Sequence, residues 1–253
     1  MEKRGMQRFR DKSVVITGGS SGIGLAAAQR IMEEGGSVLI TGSNRERLDN
    51  FAAQLPGVHV LQNDASRPEA AEALAQEAAR LFGKVDGLFL NAGVGAGAPL
   101  GHISAELYRN LMDLNVGGPI FGTQAMAPLI RDGGSILITA SVAKDKGLPA
   151  SALYGATKGA VRSLARGFAY ELAPRRIRVN TLSPGPIATD FFNRLGLPEE
   201  HIAAVEQQMA GNNPLGRLGT PQEAAAVALF LLSDEASYVT GSDYFVDGGE
   251  AQL

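Results

Sequence analysis

Tyr154 and Lys158 stand four residues apart in the stretch Tyr154-Gly155-Ala156-Thr157-Lys158, and Ser141 lies thirteen residues before the tyrosine. On a helix this spacing puts both side chains on one face, a single turn apart. A phenol ionises at about pH 10, too high for easy proton exchange near neutrality. An ammonium beside it favours the phenolate and pulls that value down, which would make the tyrosine a working acid or base. A serine hydroxyl beside the phenol could hold a carbonyl oxygen. Taken alone, Tyr-x-x-x-Lys is equally the ordinary start of a helix with a half-buried tyrosine and a solvated lysine. The rest of the chain must decide, by supplying or failing to supply the elements that would position such a pair.

The first of those elements opens the chain. Ser13 to Thr17 is a short β-branched run that reads as a buried strand, and Thr17-Gly18-Gly19-Ser20-Ser21-Gly22-Ile23-Gly24 follows it, ahead of an Ala-rich helical stretch from Leu25 to Glu34. Strand, glycine loop and helix in that order are the context in which such a loop binds phosphate, the plainer alternative being a flexible connector. Gly18 permits the turn, Gly22 lets the backbone approach a pyrophosphate, Gly24 allows close packing, and the helix start offers its N–H groups to the anion. A second strand, Ser37 to Thr41, should end at the ribose of a bound dinucleotide. A carboxylate there would grip the ribose hydroxyls, but the chain carries Gly42-Ser43-Asn44-Arg45. No anion repels a 2′-phosphate, and Ser43, Asn44 and Arg45 could bind one. NADP(H) is therefore expected, with NAD(H) possible. Arg45 and Arg47 read equally well as solvated residues in the first turn of the next helix.

Further along, Val58 to Leu61 reads as a third strand with His59 packed within it, and Asp64 follows at its C-terminal end, where an adenine would lie. Ser66-Arg67-Pro68-Glu69 has the spacing of a capping box. Gly87 to Leu90 is a fourth strand, ending in Asn91-Ala92-Gly93 and a run of small residues. Ser104 should cap a helix through Leu114, and Asn115 sits just before Gly117-Gly118-Pro119, where an interruption would free backbone groups. Ser135 to Thr139 is a fifth strand, with Ser141 just past its C-terminal end. The helix from Leu153 to Leu172 continues the face of Tyr154 and Lys158 with Val161, Ala165, Phe168 and Leu172, so both polar residues start on the inward side. Arg178 to Leu182 is a sixth strand, followed by turn-rich Pro184-Gly185-Pro186-Ile187-Ala188-Thr189. Thr220-Pro221-Gln222-Glu223 combines a capping box with proline at the first helical position, and Tyr244 to Val246 is the last strand. Strands alternating with helices imply a parallel sheet wound on both faces, an α/β fold in one domain spanning residues 1–253. About residues 186–215 read as a substrate lid.

Composition sets bounds. In 253 residues, hydrophobic types make up 45% and charged types 19%, a globular balance. A net charge of −3 offers no basic footprint for nucleic acid. There are no cysteines, and His59, His102 and His201 are too scattered for a metal site. The charged start has no apolar core of a signal peptide, and no apolar run reaches membrane-spanning length. The expectation is a cytoplasmic protein with a small-molecule substrate and no nucleic-acid or membrane partner.

Thr17-Gly-x-x-x-Gly-x-Gly24, Asn91-Ala-Gly93, Asn115, Ser141, Tyr154-x-x-x-Lys158 and Pro184-Gly185 together resemble the short-chain dehydrogenase/reductase family, from roughly Arg10 to Gly249. The resemblance implies a Rossmann fold of seven parallel strands in the order 3-2-1-4-5-6-7. It implies Tyr154 as general acid, Lys158 as the residue that lowers its pKa and binds the nicotinamide ribose, and Ser141 as the group orienting the substrate oxygen. Asn115 is implied as the residue whose helix kink holds a water in a proton relay. Cofactor contacts are implied at Gly18, Ser20, Ser21, Gly22, Ile23, Gly24, Asp64, Asn91, Ala92, Gly93, Pro184, Gly185 and Thr189, with Ile187 beside the nicotinamide amide. Ser21 and Ser43 stand where many NADP-preferring members carry basic residues, and Pro119 is less usual just after the kink. A homotetramer is also implied, through the Leu153–Leu172 helix and the C-terminal strand.

The activity expected is hydride transfer between NADP(H) and a carbonyl or secondary alcohol. Val94, Val142, Leu148, Leu153, Phe191 and Phe192 would make an apolar substrate pocket. Lys144 and Lys146 could instead face an anionic substrate such as a 3-oxoacyl thioester. A sugar or polyol dehydrogenase is a further alternative, and a dinucleotide-sensing protein without turnover is the alternative of a different class.

Overall fold

A computed structural model describes residues 7–189 and 199–253. Seven strands form one parallel sheet in the order β3-β2-β1-β4-β5-β6-β7. In chain order they are β1 (Ser13–Thr17), β2 (Ser37–Gly42), β3 (His59–Gln62), β4 (Val85–Leu90), β5 (Ile130–Thr139), β6 (Arg178–Pro184) and β7 (Asp243–Val246). The helices between them are α1 (Gly22–Glu33), α2 (Arg45–Gln54), α3 (Pro68–Phe82), α4 (Ala105–Met112), α5 (Gly118–Met126), α6 (Ala152–Leu172), α7 (Glu199–Asn212) and α8 (Pro221–Leu232). The strand order is that of a Rossmann-like doubly wound fold.

The period-2 geometry of a strand sends alternate residues to opposite faces, and here each face has its own core. Val14 and Ile16 of β1, Phe89 of β4 and Leu137 of β5 pack on one side against α1, α2 and α8, through residues such as Ala27, Ile31, Leu48 and Leu229. Val15, Leu88, Leu90, Ile136 and Ile138 pack on the other side against α3 and α6, through Leu74, Ala78, Val161 and Ala165. Both faces of the central strands are buried, which is why they read as continuous β-branched runs rather than alternating ones.

The register aligns the C-terminal ends. Thr17 pairs with Leu90, Leu90 with Ile138, Thr139 with Leu182, and Pro184 with Val246. Gly42 of β2 pairs with Gln62 of β3 on the other side of the switch point. Every loop carrying a candidate site residue therefore leaves the same edge of the sheet.

Two local expectations are corrected. His59 begins β3 rather than lying inside a strand and is exposed; its ring meets Phe82 edge-on at 5.5 Å. The Ser66–Glu69 box does not form. Arg67 is the N-cap of α3 and makes no side-chain cap, while Ser66 donates from both N and Oγ to Asp64 Oδ1, at 3.1 and 2.7 Å. Asp64 competes for the serine before the helix can use it. The second box does form, with Thr220 and Glu223 capping α8 reciprocally and Pro221 in its first turn.

Among the described residues no helix is long and apolar enough to cross a membrane.

Candidate active site

The glycine loop runs from β1 into α1, which begins at Gly22, three residues earlier than the apolar pattern suggests. Gly18 and Gly22 have φ of +64° and +55°, in the left-handed region that glycine enters without strain. At Gly24 a Cβ would lie 2.5 Å from the Gly18 carbonyl oxygen and 2.7 Å from Asn91 Nδ2, so packing there excludes any side chain. The N-cap Ser21 makes no side-chain cap to α1, whereas Asn44, Ser104 and Thr220 each cap their helices. The Ser21 side chain therefore does not compete with an anion for the first-turn amides of α1. Thr189 packs against Gly22, where a Cβ would come within 3.2 Å of its Cγ2. A recess lined by Thr17, Asn63, Ala65, Leu90, Ala92 and Gly118 lies beside Asp64 and Asn91, where an adenine is expected. These features fit a dinucleotide.

Asn91 joins this loop to β5. Its Nδ2 donates to the Gly18 carbonyl at 3.1 Å, and its Oδ1 accepts from Thr139 Oγ1 at 3.2 Å. Thr17 Oγ1 accepts from the amides of Asn91 and Ala92, both at 3.1 Å. The carbonyl of Thr139 then accepts from Lys158 Nζ at 2.9 Å. A hydrogen-bonded path therefore runs from Lys158 through Thr139 and Asn91 to the phosphate loop. Thr17 and Thr139, at the ends of β1 and β5, carry parts of this network without having been proposed as site residues, because a threonine at a strand end has no distinguishing local signal.

Asn115 is 1% exposed, inside a π-helical turn, Asp113–Gly117, that joins α4 to α5. The helix is continuous through this bulge. Pro119 follows directly on this bulge, in the first turn of α5. Asn115 Oδ1 accepts from Val94 N, and Nδ2 donates to Val94 O, both at 2.9 Å; Nδ2 also reaches Thr157 Oγ1 at 3.2 Å. The side chain thus locks the loop after β4 onto α6. Gly93 makes this possible, since a Cβ there would come within 3.1 Å of Asn115 Oδ1 and 3.2 Å of Lys158 Nζ.

Tyr154 and Lys158 lie on the first turns of α6, which starts at Ala152. Lys158 is buried and Tyr154 half-buried. Burial pushes the tyrosine pKa up, and a hydrogen bond with Ser141 opposes that. Burial lowers the lysine to about 8. The expectation that the ammonium dominates the phenol is therefore corrected for the protein alone. Lys158 Nζ is 5.8 Å from the Tyr154 ring centroid and donates to Thr139 instead, and at the phenol desolvation outweighs the hydrogen bond with Ser141. Ser141 is buried and N-caps the single 3₁₀ turn Val142–Lys144, its Oγ accepting from Ala143 N at 3.2 Å.

The remaining candidates divide. Pro184 ends β6, and Gly185 N bonds to Val246 O at 3.0 Å. Ile187 is buried and bridges to Gly219. Ser20 lies against Gly42, where a Cβ would meet its Oγ at 2.8 Å. Ser43 is exposed, its carbonyl accepting from Gln62 Nε2 at 3.0 Å; Asn44 Oδ1 accepts from Arg47 N at 2.8 Å. Arg45 opens α2 and pairs with Asp49 at 3.0 Å, so the solvated-helix alternative describes its present state. Val94, Val142 and Leu153 stand beside Asn115, Ser141 and Tyr154, whereas Leu148 is exposed on its loop. Phe191, Phe192 and the part of the lid at 190–198 lie outside the described residues. Lys144 and Lys146, read as an alternative face for an anionic substrate, each have an acidic partner in the structure. Lys144 is 4% exposed in its side chain and paired with Asp243 at 2.7 Å, and Lys146 pairs with Glu250 at 2.8 Å, so both charges are already neutralised.

The chain and its fold resemble known proteins. The chain is 40% identical to the oxidoreductase asL5 of Sarocladium schorii, over 98% of this chain and 99% of that protein. It is 36% identical to the meso-2,3-butanediol dehydrogenase of Serratia marcescens, over 96% and 95% respectively. A crystal structure from Brucella melitensis, titled a short-chain dehydrogenase/reductase and glucose/ribitol dehydrogenase, superposes with a TM-score of 0.90 at 34% identity, over 97% of this chain and 99% of that one. The family model described as enoyl-(acyl carrier protein) reductase matches residues 18–250. With these matches running nearly end to end, the chain belongs to the short-chain dehydrogenase/reductase family of oxidoreductases.

Proposed function

We propose that this protein transfers hydride between NADP(H) and a carbonyl or secondary alcohol, as a carbonyl reductase or alcohol dehydrogenase, with Tyr154 as general acid and base. The observation that carries the proposal is the convergence of Tyr154, its hydrogen-bond partner Ser141 and the buried Lys158 beside the phosphate loop. The nicotinamide, when bound, supplies or accepts the hydride. The protein's part is placement and proton transfer. Ser141 holds the substrate oxygen against the phenol. Tyr154, kept protonated by its burial, gives that oxygen its proton in the reducing direction. Lys158 offers a positive charge toward the phenolate left behind and a donor for the nicotinamide ribose. Asn115 holds the loop after β4 and the start of α6 in register while this happens.

The first-turn amides of α1 would hold the pyrophosphate. Gly42, Ser43, Asn44 and Arg45 would accept the 2′-phosphate, which requires Arg45 to give up or share Asp49. That pairing favours NAD(H) as a second reading. The name of the butanediol dehydrogenase relative supports a small hydroxyl or carbonyl substrate. We further propose a cytoplasmic homotetramer. Tyr170 on α6 is 85% exposed and β7 pairs on one side only, which supports these as the contacting elements.

The test is loss of absorbance at the reduced-nicotinamide band, with NADPH and NADH run side by side against ketones, sugars and a short 3-oxoacyl thioester. Ketone turnover with NADPH alone is the expected result. Preference for NADH would replace the cofactor assignment and leave the chemistry standing. Tight cofactor binding without any turnover would favour a sensor.

A further inference from the structure

We propose that Asp243, acting through Lys144, is a positioning residue for Ser141. The inference rests on the reading of Ser141 as the group that holds the substrate oxygen. Ser141 begins the one-turn 3₁₀ helix Val142–Lys144, and Lys144 ends it, its amide bonded to the Ser141 carbonyl at 3.3 Å. Whatever holds Lys144 therefore holds the serine. On one side the turn rests on α6, where Gly155 follows Tyr154; a Cβ at Gly155 would lie 2.6 Å from the Ala143 carbonyl oxygen. That contact sets how near the serine turn comes to the tyrosine.

On the other side the turn is held by its lysine. The Lys144 side chain is 4% exposed, with Nζ 2.7 Å from Asp243 Oδ2, paired also to Asp145, and 4.3 Å above the centre of the Phe245 ring. Asp243 is itself fixed. Its Oδ1 accepts from Thr181 Oγ1 at 2.8 Å and from Ser183 Oγ at 2.7 Å, both on β6, and Arg162 Nε on α6 stands 3.9 Å from Oδ2. Each carboxylate oxygen thus has two partners, on elements already locked in the sheet and the catalytic helix. A buried ion pair adds little net stability over apolar residues of the same volume. What it provides here is direction, since the ammonium at the end of a four-carbon stem is placed by three separate groups. The consequence is that the first residue of the last strand sets the position of a catalytic hydroxyl at the end of β5.

Removing one charge would leave the other buried and uncompensated, so the pair is exchanged together as Lys144→Met/Asp243→Asn. Phe245→Leu, which removes only the ring beneath the ammonium, is a milder second variant. Each is made with Ser141 present and again with Ser141→Ala. With Ser141 present, the paired exchange should lower kcat about tenfold, against the roughly hundredfold that a misplacement of about 1 Å can cost. Cofactor Kd should stay unchanged, and Phe245→Leu should show the same pattern at smaller size. In the Ser141→Ala background, neither change should lower kcat further. An equal fall in both backgrounds, or no fall in either, would overturn the inference alone. A Ser141→Ala enzyme as active as the parent would overturn the role given to Ser141 and the inference with it.

Discussion

Two ionisable groups one helical turn apart have been moved toward their neutral forms by the same cause. Burial raises the Tyr154 phenol and lowers the Lys158 ammonium to about 8. Near neutrality the tyrosine is then a proton donor and the lysine still charged, the pairing that carbonyl reduction needs. Replacing Tyr154 with Phe should abolish turnover while leaving cofactor affinity nearly intact by fluorescence titration; loss of both together would make the residue structural. The lysine sets a pH limit. Its charge is lost as pH rises through about 8, so kcat/KM for reduction should be level below that pH and fall by about tenfold per unit above it, measured as initial rates between about pH 6 and 10. Cofactor choice also belongs to this scale. A carboxylate at the end of β2 would grip ribose hydroxyls and repel a 2′-phosphate. Gly42→Asp should therefore lower kcat/KM with NADPH by at least about tenfold relative to NADH. The only close contact a Cβ meets there is the movable Ser20 hydroxyl.

At the scale of elements, the site is a set of strand ends and helix starts brought to one edge. In the proposed site α1 would meet the phosphate at a first turn that Ser21 does not cap, and it can lie close to β1 and β4 because residue 24 has no side chain. Gly24→Ala forces a methyl against a backbone carbonyl and against Asn91, groups that cannot turn away. It should cost about 1–3 kcal/mol of stability, read by urea denaturation, and weaken cofactor binding as the loop shifts. These elements were readable to different depths. Buried strands showed as β-branched runs, and the Thr220–Glu223 box announced α8 because its proline and glutamate agree on one start. The Ser66–Glu69 box matched the same pattern and failed, since Asp64, two residues earlier, takes the serine. Pattern alone cannot rank two local acceptors that compete for one donor. The π-helical turn at Asp113–Gly117 was visible only as an expected interruption. Its form follows from Asn115 reaching across to Val94 and Thr157.

The whole molecule couples these parts through one sheet with a core on each face. Anything that binds only the folded edge stabilises all of it. Cofactor at about a hundred times its Kd should add about 2.7 kcal/mol, a rise in Tm of roughly 5–10 °C for a chain of this length. At equal multiples of Kd the two cofactors should give equal rises, so the informative comparison is at equal concentration. There NADPH should raise Tm more than NADH. For assembly, light scattering should return four times the chain mass of 26.4 kDa; a monomer would remove α6 and β7 as contact elements. The paired lysines of residues 144 and 146 show this scale most plainly. They looked like an anion-binding face until β7 and the C-terminal turn supplied Asp243 and Glu250.

The sequence by itself determined the class of fold, the seven strands in their alternation with helices, and the positions of Ser141, Tyr154, Lys158, Asn115 and the glycine loop. These rest on short-range patterns, namely hydrophobic periodicity, glycine spacing and a four-residue helical repeat, and for Asn115 and Ser141 on the resemblance of the assembled motifs to one family. Tertiary structure alone decided the direction in which burial moves the two pKa values, the Lys158–Thr139–Asn91 path, the pairing of Arg45 with Asp49 and the fate of Lys144. Each depends on which distant groups share a small volume, and on how much water they exclude. A chain position carries neither quantity until the strands have paired and the helices have closed over them.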